Sequence, residues 1–198
     1  MKAIIFDLDG VLVDACEWHY GALNMALEEN GLKPIGRDDH IKVYNGLPTL
    51  KKLEMMGLDE ETKKRVVYDK KRFTKEIIDK KCIPNLNKIE MLFSLKRYKL
   101  ACCSNAIKES VEQMLKKSYL YDYFDLVMGN DEGFAPKPAP DIYLEAAKRL
   151  GVDIKDCLIV EDAPHGIEAA KASGAMVLAV RGYEDVNIDL FRRLGCLI

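Results

Sequence analysis

Met1-Lys2-Ala3-Ile4-Ile5-Phe6-Asp7-Leu8-Asp9-Gly10 opens the chain. Ala3 to Phe6 is an apolar run of strand length, and its lack of alternation reads as a strand buried on both faces. The run stops at two carboxylates spaced two apart, followed by a glycine. Side chains alternate along a strand, so Asp7 and Asp9 leave the chain on the same side. Acids at the end of a buried strand are costly to desolvate unless a cation or hydrogen bonds compensate them. Ligands of open α/β sheets sit outside the carboxyl ends of the strands. The decapeptide therefore marks a candidate site.

Beyond it, Asp14 to Asn30 reads as a helix, with Ala15, Trp18, Leu23, Ala26 and Leu27 on one face and Asn30-Gly31 as its stop. Lys33 to Thr49 is loop-like, and helical segments follow at Thr49-Met56 and Asp59-Lys80. Residues 15–81 hold no convincing strand, so they form a helical insertion directly after the first strand. Their lysines, including Lys51, Lys63, Lys64 and Lys80, read first as a solvated face and second as contacts to an anionic substrate. From Pro84 the pattern alternates. Helices are expected at Asn85-Leu95, with Leu86, Ile89, Leu92 and Phe93 inward, and at Lys108-Lys117, Pro140-Leu150 and His165-Ser173. Strands are expected at Tyr98-Cys103, Phe124-Met128, Cys157-Val160 and Met176-Val180, with Gly195-Ile198 as a further edge strand. Strands alternating with helices imply a parallel sheet wrapped on both faces.

The 198 residues, 48% hydrophobic and 31% charged, suit one domain with a modest insertion. A formal net charge of -2 gives no general attraction to nucleic acid or anionic membrane, and no apolar run is long enough to span a bilayer. The N-terminal apolar run is broken by Asp7, which does not fit a signal peptide. The six cysteines lack metal or redox spacing and read as reduced structural thiols of a cytoplasmic protein.

Apolar runs stop at polar groups in three places: Asp7/Asp9, Ser104/Asn105 and Glu161/Asp162. A parallel sheet gathers its carboxyl ends at one edge, so these groups converge. Pro136-Lys137-Pro138-Ala139-Pro140 adds a lysine between prolines, whose fixed φ stiffens the loop. Each group has a plainer explanation. Asp-x-Asp could open a calcium loop, but Val11 and Leu12 stand where a ligand and glycine are needed. Ser104-Asn105 could cap the next helix, Lys137 could be a surface lysine, and Glu161-Asp162 could complement a helix dipole. His165 suits a helix start or the surface better than catalysis.

Together, Asp7-Leu8-Asp9-Gly10-Val11, Ser104-Asn105, Lys137-Pro138-Ala139-Pro140-Asp141 and Glu161-Asp162-Ala163-Pro164-His165-Gly166 resemble the motifs of the haloacid dehalogenase superfamily, in order and along essentially the whole chain. Within the superfamily, the chain is similar to the β-phosphoglucomutase-like and small sugar-phosphatase branch. That resemblance implies a Rossmann-like α/β three-layer sandwich over residues 1–14 and 82–198, with a small α-helical cap over 15–81 that closes on the site. It implies Asp7 as a nucleophile forming an aspartyl-phosphate and Asp9 as acid–base. Mg²⁺ would be held by Asp7, the Asp9 carbonyl and Asp162, with Glu161 adjacent. Ser104, Asn105 and Lys137 would bind phosphoryl oxygens.

Asp9 argues against the dehalogenases and the phosphonatases, which lack that second acid. The mutases of the resembling branch carry a cap motif Gly-Val-Ser-Arg, where this chain has Gly46-Leu47-Pro48-Thr49. Losing a bidentate guanidinium removes the best clamp for a second phosphate. The expectation is thus a phosphatase acting on a small phosphorylated metabolite, with a sugar-phosphate mutase as the alternative and a non-catalytic interaction module further behind. The cap residues expected at the leaving group are His19, Asn45, Leu47, Thr49 and Lys52, and nothing demands more than a monomer.

Overall fold

The computed structural model describes residues 1–44 and 46–197. The chain divides into two compact units, Met1–Asp14 with Ile83–Ile198, and Ala15–Cys82. Cys82 thus ends the helical unit rather than starting the sheet unit.

The sheet unit is built on β1, Ala3–Phe6, whose four residues are all buried. Parallel strands β2 (Lys99–Cys103), β3 (Leu126–Met128), β4 (Cys157–Glu161) and β5 (Met176–Ala179) complete the order β3-β2-β1-β4-β5. From β1 the chain runs outward through β2 to β3, then returns to the other flank of β1 for β4 and β5. The strand order therefore reverses between β1 and β4, the position at the carboxyl edge where open α/β sheets bind ligands.

In the helical unit, α1 (Cys16–Glu29) and α4 (Glu60–Lys81) enclose a core of Leu23, Leu27, Leu53, Val66 and Phe73, joined by the short α2 (Arg37–Asp39) and α3 (Thr49–Met55). Asp59 caps α4 by accepting from the Glu61 and Thr62 amides, and Lys80 and Lys81 complement the dipole at its far end. The loop expected over Lys33 to Thr49 is corrected: α2 runs on into a π-helical turn, His40–Tyr44. Tertiary contacts decide this. The Asn24 side chain clasps both backbone groups of Ile35, at 2.9 and 3.0 Å, and the buried His40 ring lies 4.7 Å from Tyr20.

The sheet unit continues with α5 (Leu86–Ser94), α6 (Lys108–Lys117), α7 (Asp141–Leu150), α8 (Pro164–Ser173) and α9 (Ile188–Arg193). On one face of the sheet, Ile5, Ala101, Met128 and Ile159 pack against Ile142, Ala146 and Ala169 of α7 and α8. On the other, Phe6 lies 5.9 Å from Phe191 and 6.2 Å from Phe124, ring centroid to centroid. The final strand expected at Gly195-Ile198 is replaced by α9 and a turn over Leu194 and Gly195, and Ile198 lies outside the described residues. The orientation of α5 is a second correction. Lys88, Met91 and Leu92 point inward, whereas Leu86 and Phe93 are 78% and 59% exposed. Burial pulls the Lys88 ammonium down to about 7, with Glu184 opposing. The six cysteines form no disulfide, five of them are buried, and burial pushes the Cys103 thiol up to about 12. No described helix is long and apolar enough to cross a membrane.

Candidate active site

Register brings the motifs together. Phe6 pairs with Cys102 of β2 and Val160 of β4, so Asp7 stands level with Cys103 and Glu161. Asp162 follows Glu161 directly, and oxygens of Asp7, Glu161 and Asp162 lie within 4.8 Å of one another. Gly10 makes room for this. Its φ of +84° favours glycine, and a Cβ there would stand 2.2 Å from Asp162 Oδ2.

Lys137 enters the same space and is only 3% exposed. Its ammonium donates to Asp7 Oδ1 at 2.6 Å, Glu161 Oε1 at 2.7 Å and the Cys103 carbonyl at 2.9 Å, which uses all three hydrogens. The Asn105 side chain holds the backbone that presents it: Lys137 N donates to Asn105 Oδ1 at 3.0 Å, and Asn105 Nδ2 donates to the Lys137 carbonyl at 3.3 Å. The Asn105 side chain is thereby engaged with Lys137. Ser104 is buried, and its hydroxyl accepts from the Ala106 amide at 3.0 Å and donates to Asp9 Oδ2 at 3.3 Å. The hydroxyl thus serves the turn into α6 and faces the acids as well.

Glu161 is saturated. One oxygen accepts from Lys137 and, at 2.5 Å, from the buried Tyr143 hydroxyl; the other accepts from the Asp162 and Ala163 amides. Tyr143 was not singled out from the sequence, because it occupies an apolar position on the inner face of α7 and reads as core. The glycine of motif four is equally structural. A Cβ on Gly166 would lie 1.9 Å from Glu161 Oε1, in a carboxylate already held by four donors. Gly166→Ala is therefore expected to displace that carboxylate and release Lys137. Any activity that depends on Lys137 should fall about a hundredfold, since misplacing a group by an ångström costs this much, and melting curves should show about 1–3 kcal/mol of lost stability from overpacking.

Carboxylates outnumber ammonium groups here, with Asp7, Asp9, Glu161 and Asp162 around Lys137. Burial and the neighbouring Glu161 push Asp7 well above the usual carboxylate range, with Lys137 opposing. Burial, Glu161 and Asp9 raise Asp162 to about 6. Burial works against the Lys137 ammonium, but Asp7 and Glu161 outweigh it and hold its pKa well above the lysine range. Asp162 Oδ1 is buried with no hydrogen-bond partner. An orphaned oxygen among hard carboxylate donors fits a divalent cation such as Mg²⁺.

In the helical unit, His19 is half-buried on α1, Leu47 and Thr49 are half-buried, Lys52 is buried on α3, and Asn45 lies outside the described residues. Lys52 and Lys63 depart from the solvated face expected of this unit's lysines, most of which are exposed. His40, in the stretch expected as a loop, joins His19 and Lys52. Burial, with Lys52, Arg37 and His19 against Glu17, lowers it to about 4.

A parallel sheet whose order reverses beside a buried nest of carboxylates and one lysine has the form of an α/β ligand site built around a carboxylate. Residues 4–180 match the model of the haloacid dehalogenase-like hydrolases, and the chain belongs to that family. It is 34% identical over 180 residues to a phosphorylated carbohydrates phosphatase of Thermotoga maritima, covering 88% of this chain and 82% of that protein. A phosphoglycolate phosphatase of Aquifex aeolicus is 32% identical, covering 96% of this chain and 90% of the other. Among solved structures, a β-phosphoglucomutase of Clostridium difficile superposes with a TM-score of 0.84 at 25% identity, covering 98% of this chain and 96% of that one. The α/β fold expected from the sequence is the fold of these proteins, and phosphate-ester hydrolysis is the enzyme class they support.

Proposed function

We propose that the chain is a Mg²⁺-dependent phosphatase that hydrolyses a small phosphorylated metabolite, a sugar phosphate, through an aspartyl-phosphate on Asp7. The observation that carries this reading is the partnerless, buried Asp162 Oδ1 beside an Asp7 whose other neighbour is a buried lysine. The family and the sugar-phosphate phosphatase among its relatives support the same reaction.

A carboxylate oxygen of Asp7 forms a bond to phosphorus as the ester oxygen departs, and Asp9 gives that oxygen its proton. Asp9 then takes a proton from water, whose oxygen attacks phosphorus and breaks the bond to Asp7, releasing phosphate. Lys137 neutralises phosphoryl oxygens from its place 2.6 Å from Asp7 Oδ1. Ser104 contributes its hydroxyl and Asn105 its backbone N–H, since the Asn105 side chain holds Lys137. Glu161 keeps Lys137 and the turn into α8 in place rather than touching the ester. Mg²⁺, held by Asp7, Asp162 and the Asp9 carbonyl, would supply positive charge for the phosphoryl oxygens when bound.

We assign leaving-group recognition to the helical unit as a cap, through His19, Leu47, Thr49 and Lys52, supported by the neighbourhood that the half-buried His19 and the buried Lys52 share with the buried His40. The reducing cytoplasm suits cysteines that form no disulfide, and a monomer suffices for the chemistry.

The test is phosphate release over a panel of sugar, polyol and nucleotide phosphates. Turnover of a sugar phosphate with Mg²⁺, abolished by EDTA and restored by added metal, is expected. Undiminished release in EDTA would refute the metal. No interconversion of hexose 1- and 6-phosphates should appear on priming with a bisphosphate, because Gly46-Leu47-Pro48-Thr49 offers no guanidinium. Rapid interconversion would instead favour the mutase.

A further inference from the structure

A second fully used buried lysine lies outside the carboxylate nest. Lys88 is 3% exposed, and its ammonium donates to the carbonyls of Val11 at 2.8 Å, Tyr183 at 2.7 Å and Val186 at 2.6 Å. The Tyr183 ring lies 4.1 Å from the same nitrogen. All three ammonium hydrogens are spent on backbone oxygens from two other segments of the chain. To place this lysine inward, α5 leaves Leu86 and Phe93 in solvent. A core selected for stability alone would do the reverse, because burying an ammonium costs free energy and burying leucine gains it. Three backbone carbonyls offset that cost, and what they fix gives the lysine its consequence.

It holds the turn that carries Asp9. From Leu8 to Val13 the chain folds on itself: Leu12 N and Val13 N donate to the Leu8 carbonyl at 2.9 and 3.0 Å, and Gly10 N donates to the Val13 carbonyl at 2.8 Å. Val11 stands at the middle of this turn, and its carbonyl is the one that Lys88 grips. The Tyr183–Val186 segment on the ammonium's other side follows β5, which is tied to β4 by Val180 N donating to the Glu161 carbonyl at 2.8 Å. One cation thus fixes the Asp9 turn against the strands that carry Glu161 and Asp162.

We propose that Lys88 is a positioning residue for Asp9, clamping the Leu8–Val13 turn so that the Asp9 carboxyl meets the departing oxygen. The proposal rests on the reading of Asp9 as the general acid, and the two are separable by leaving group. An alkoxide leaving from a sugar phosphate needs a proton, whereas p-nitrophenolate leaves without one. The second-order constant kcat/KM reports the step in which that group departs.

In Lys88→Met, kcat/KM for the sugar phosphate should fall about ten- to a hundredfold, part of what a general acid contributes, while that for p-nitrophenyl phosphate, which needs no proton and shares only the displacement of the Asp9 carbonyl, falls markedly less. Asp9→Asn, measured alongside, should show the same selectivity more strongly. Should Lys88→Met not fold, Lys88→Ala is assayed with and without n-propylammonium, the excised portion of the side chain, and the amine should restore sugar-phosphate turnover selectively. If Asp9→Asn discriminates between the substrates but the Lys88 variants lower both equally or neither, Lys88 does not position Asp9. If Asp9→Asn itself does not discriminate, the reading of Asp9 as the acid falls, and the proposal with it. Failure of both Lys88 variants to fold, with or without the amine, assigns the residue to core stability alone and overturns the proposal.

Discussion

Asp7→Asn is expected to lower phosphate release by about 10³-fold or more while melting no lower than the parent protein. An amide has the shape of the carboxylate but is no nucleophile at phosphorus, so the covalent route closes. The stability expectation follows from the electrostatics. Asp7 sits beside Glu161 and Asp162, and burial with Glu161 already disfavours its charge. Removing that charge relieves repulsion with Glu161 and Asp9, against which stands the weakening of one of three bonds to Lys137, since the asparagine oxygen still accepts but carries no charge. Paired assays settle the matter. Retained turnover in a folded variant would deny the role of Asp7, and collapse of the fold would show that the Lys137 pair, not the repulsion, dominates.

Lys137→Met should behave in the opposite way, losing stability and activity together. The side chain is 3% exposed and supplies the ammonium between Asp7 and Glu161. Breaking a buried pair by removing one partner costs about 3–5 kcal/mol, because the remaining charge is left without compensation. For a domain of this size that is a melting temperature lower by about 6–20 °C. Phosphate release should drop about 10²–10³-fold, the usual loss for one preorganised charge-stabilising group. Thermal melts in the absence of divalent cation, with assays well below the transition, separate the two effects. A Lys137→Met protein as stable and active as the parent would place the ammonium outside the chemistry and the structural ledger alike.

The contrast between these variants shows what sequence could and could not reveal. Ala3–Phe6 announced a buried central strand, since an unbroken apolar run ending in acids has few other uses, and the alternation after Pro84 announced the parallel sheet. The convergence of Asp7 and Glu161 was legible because strand ends of a parallel sheet must share an edge, whereas Lys137, in a loop, was placed beside them only by the motif it resembles. What stayed hidden depends on partners distant in the chain. Lys88 could not be read as internal, because its three acceptors are backbone oxygens that leave no mark on side-chain pattern; the apolar periodicity instead turned α5 the wrong way. Tyr143 hid behind its ring, whose burial is ordinary, while its hydroxyl grips Glu161. Asn105 lay in a recognised motif, yet its side chain serves Lys137, a pairing set by loop geometry alone. His40 sat in a stretch rich in loop formers and was drawn into a π-helical turn by packing on α1.

The central claim is that phosphorus is transferred to the Asp7 carboxylate. Acid quenching during turnover of a sugar phosphate, followed by borohydride reduction and peptide mass analysis, reads this directly, because reduction of an acyl phosphate on aspartate leaves homoserine. Homoserine at position 7, absent without substrate, is the expected result. Homoserine at another aspartate, or none while phosphate release continues at full rate, would contradict it.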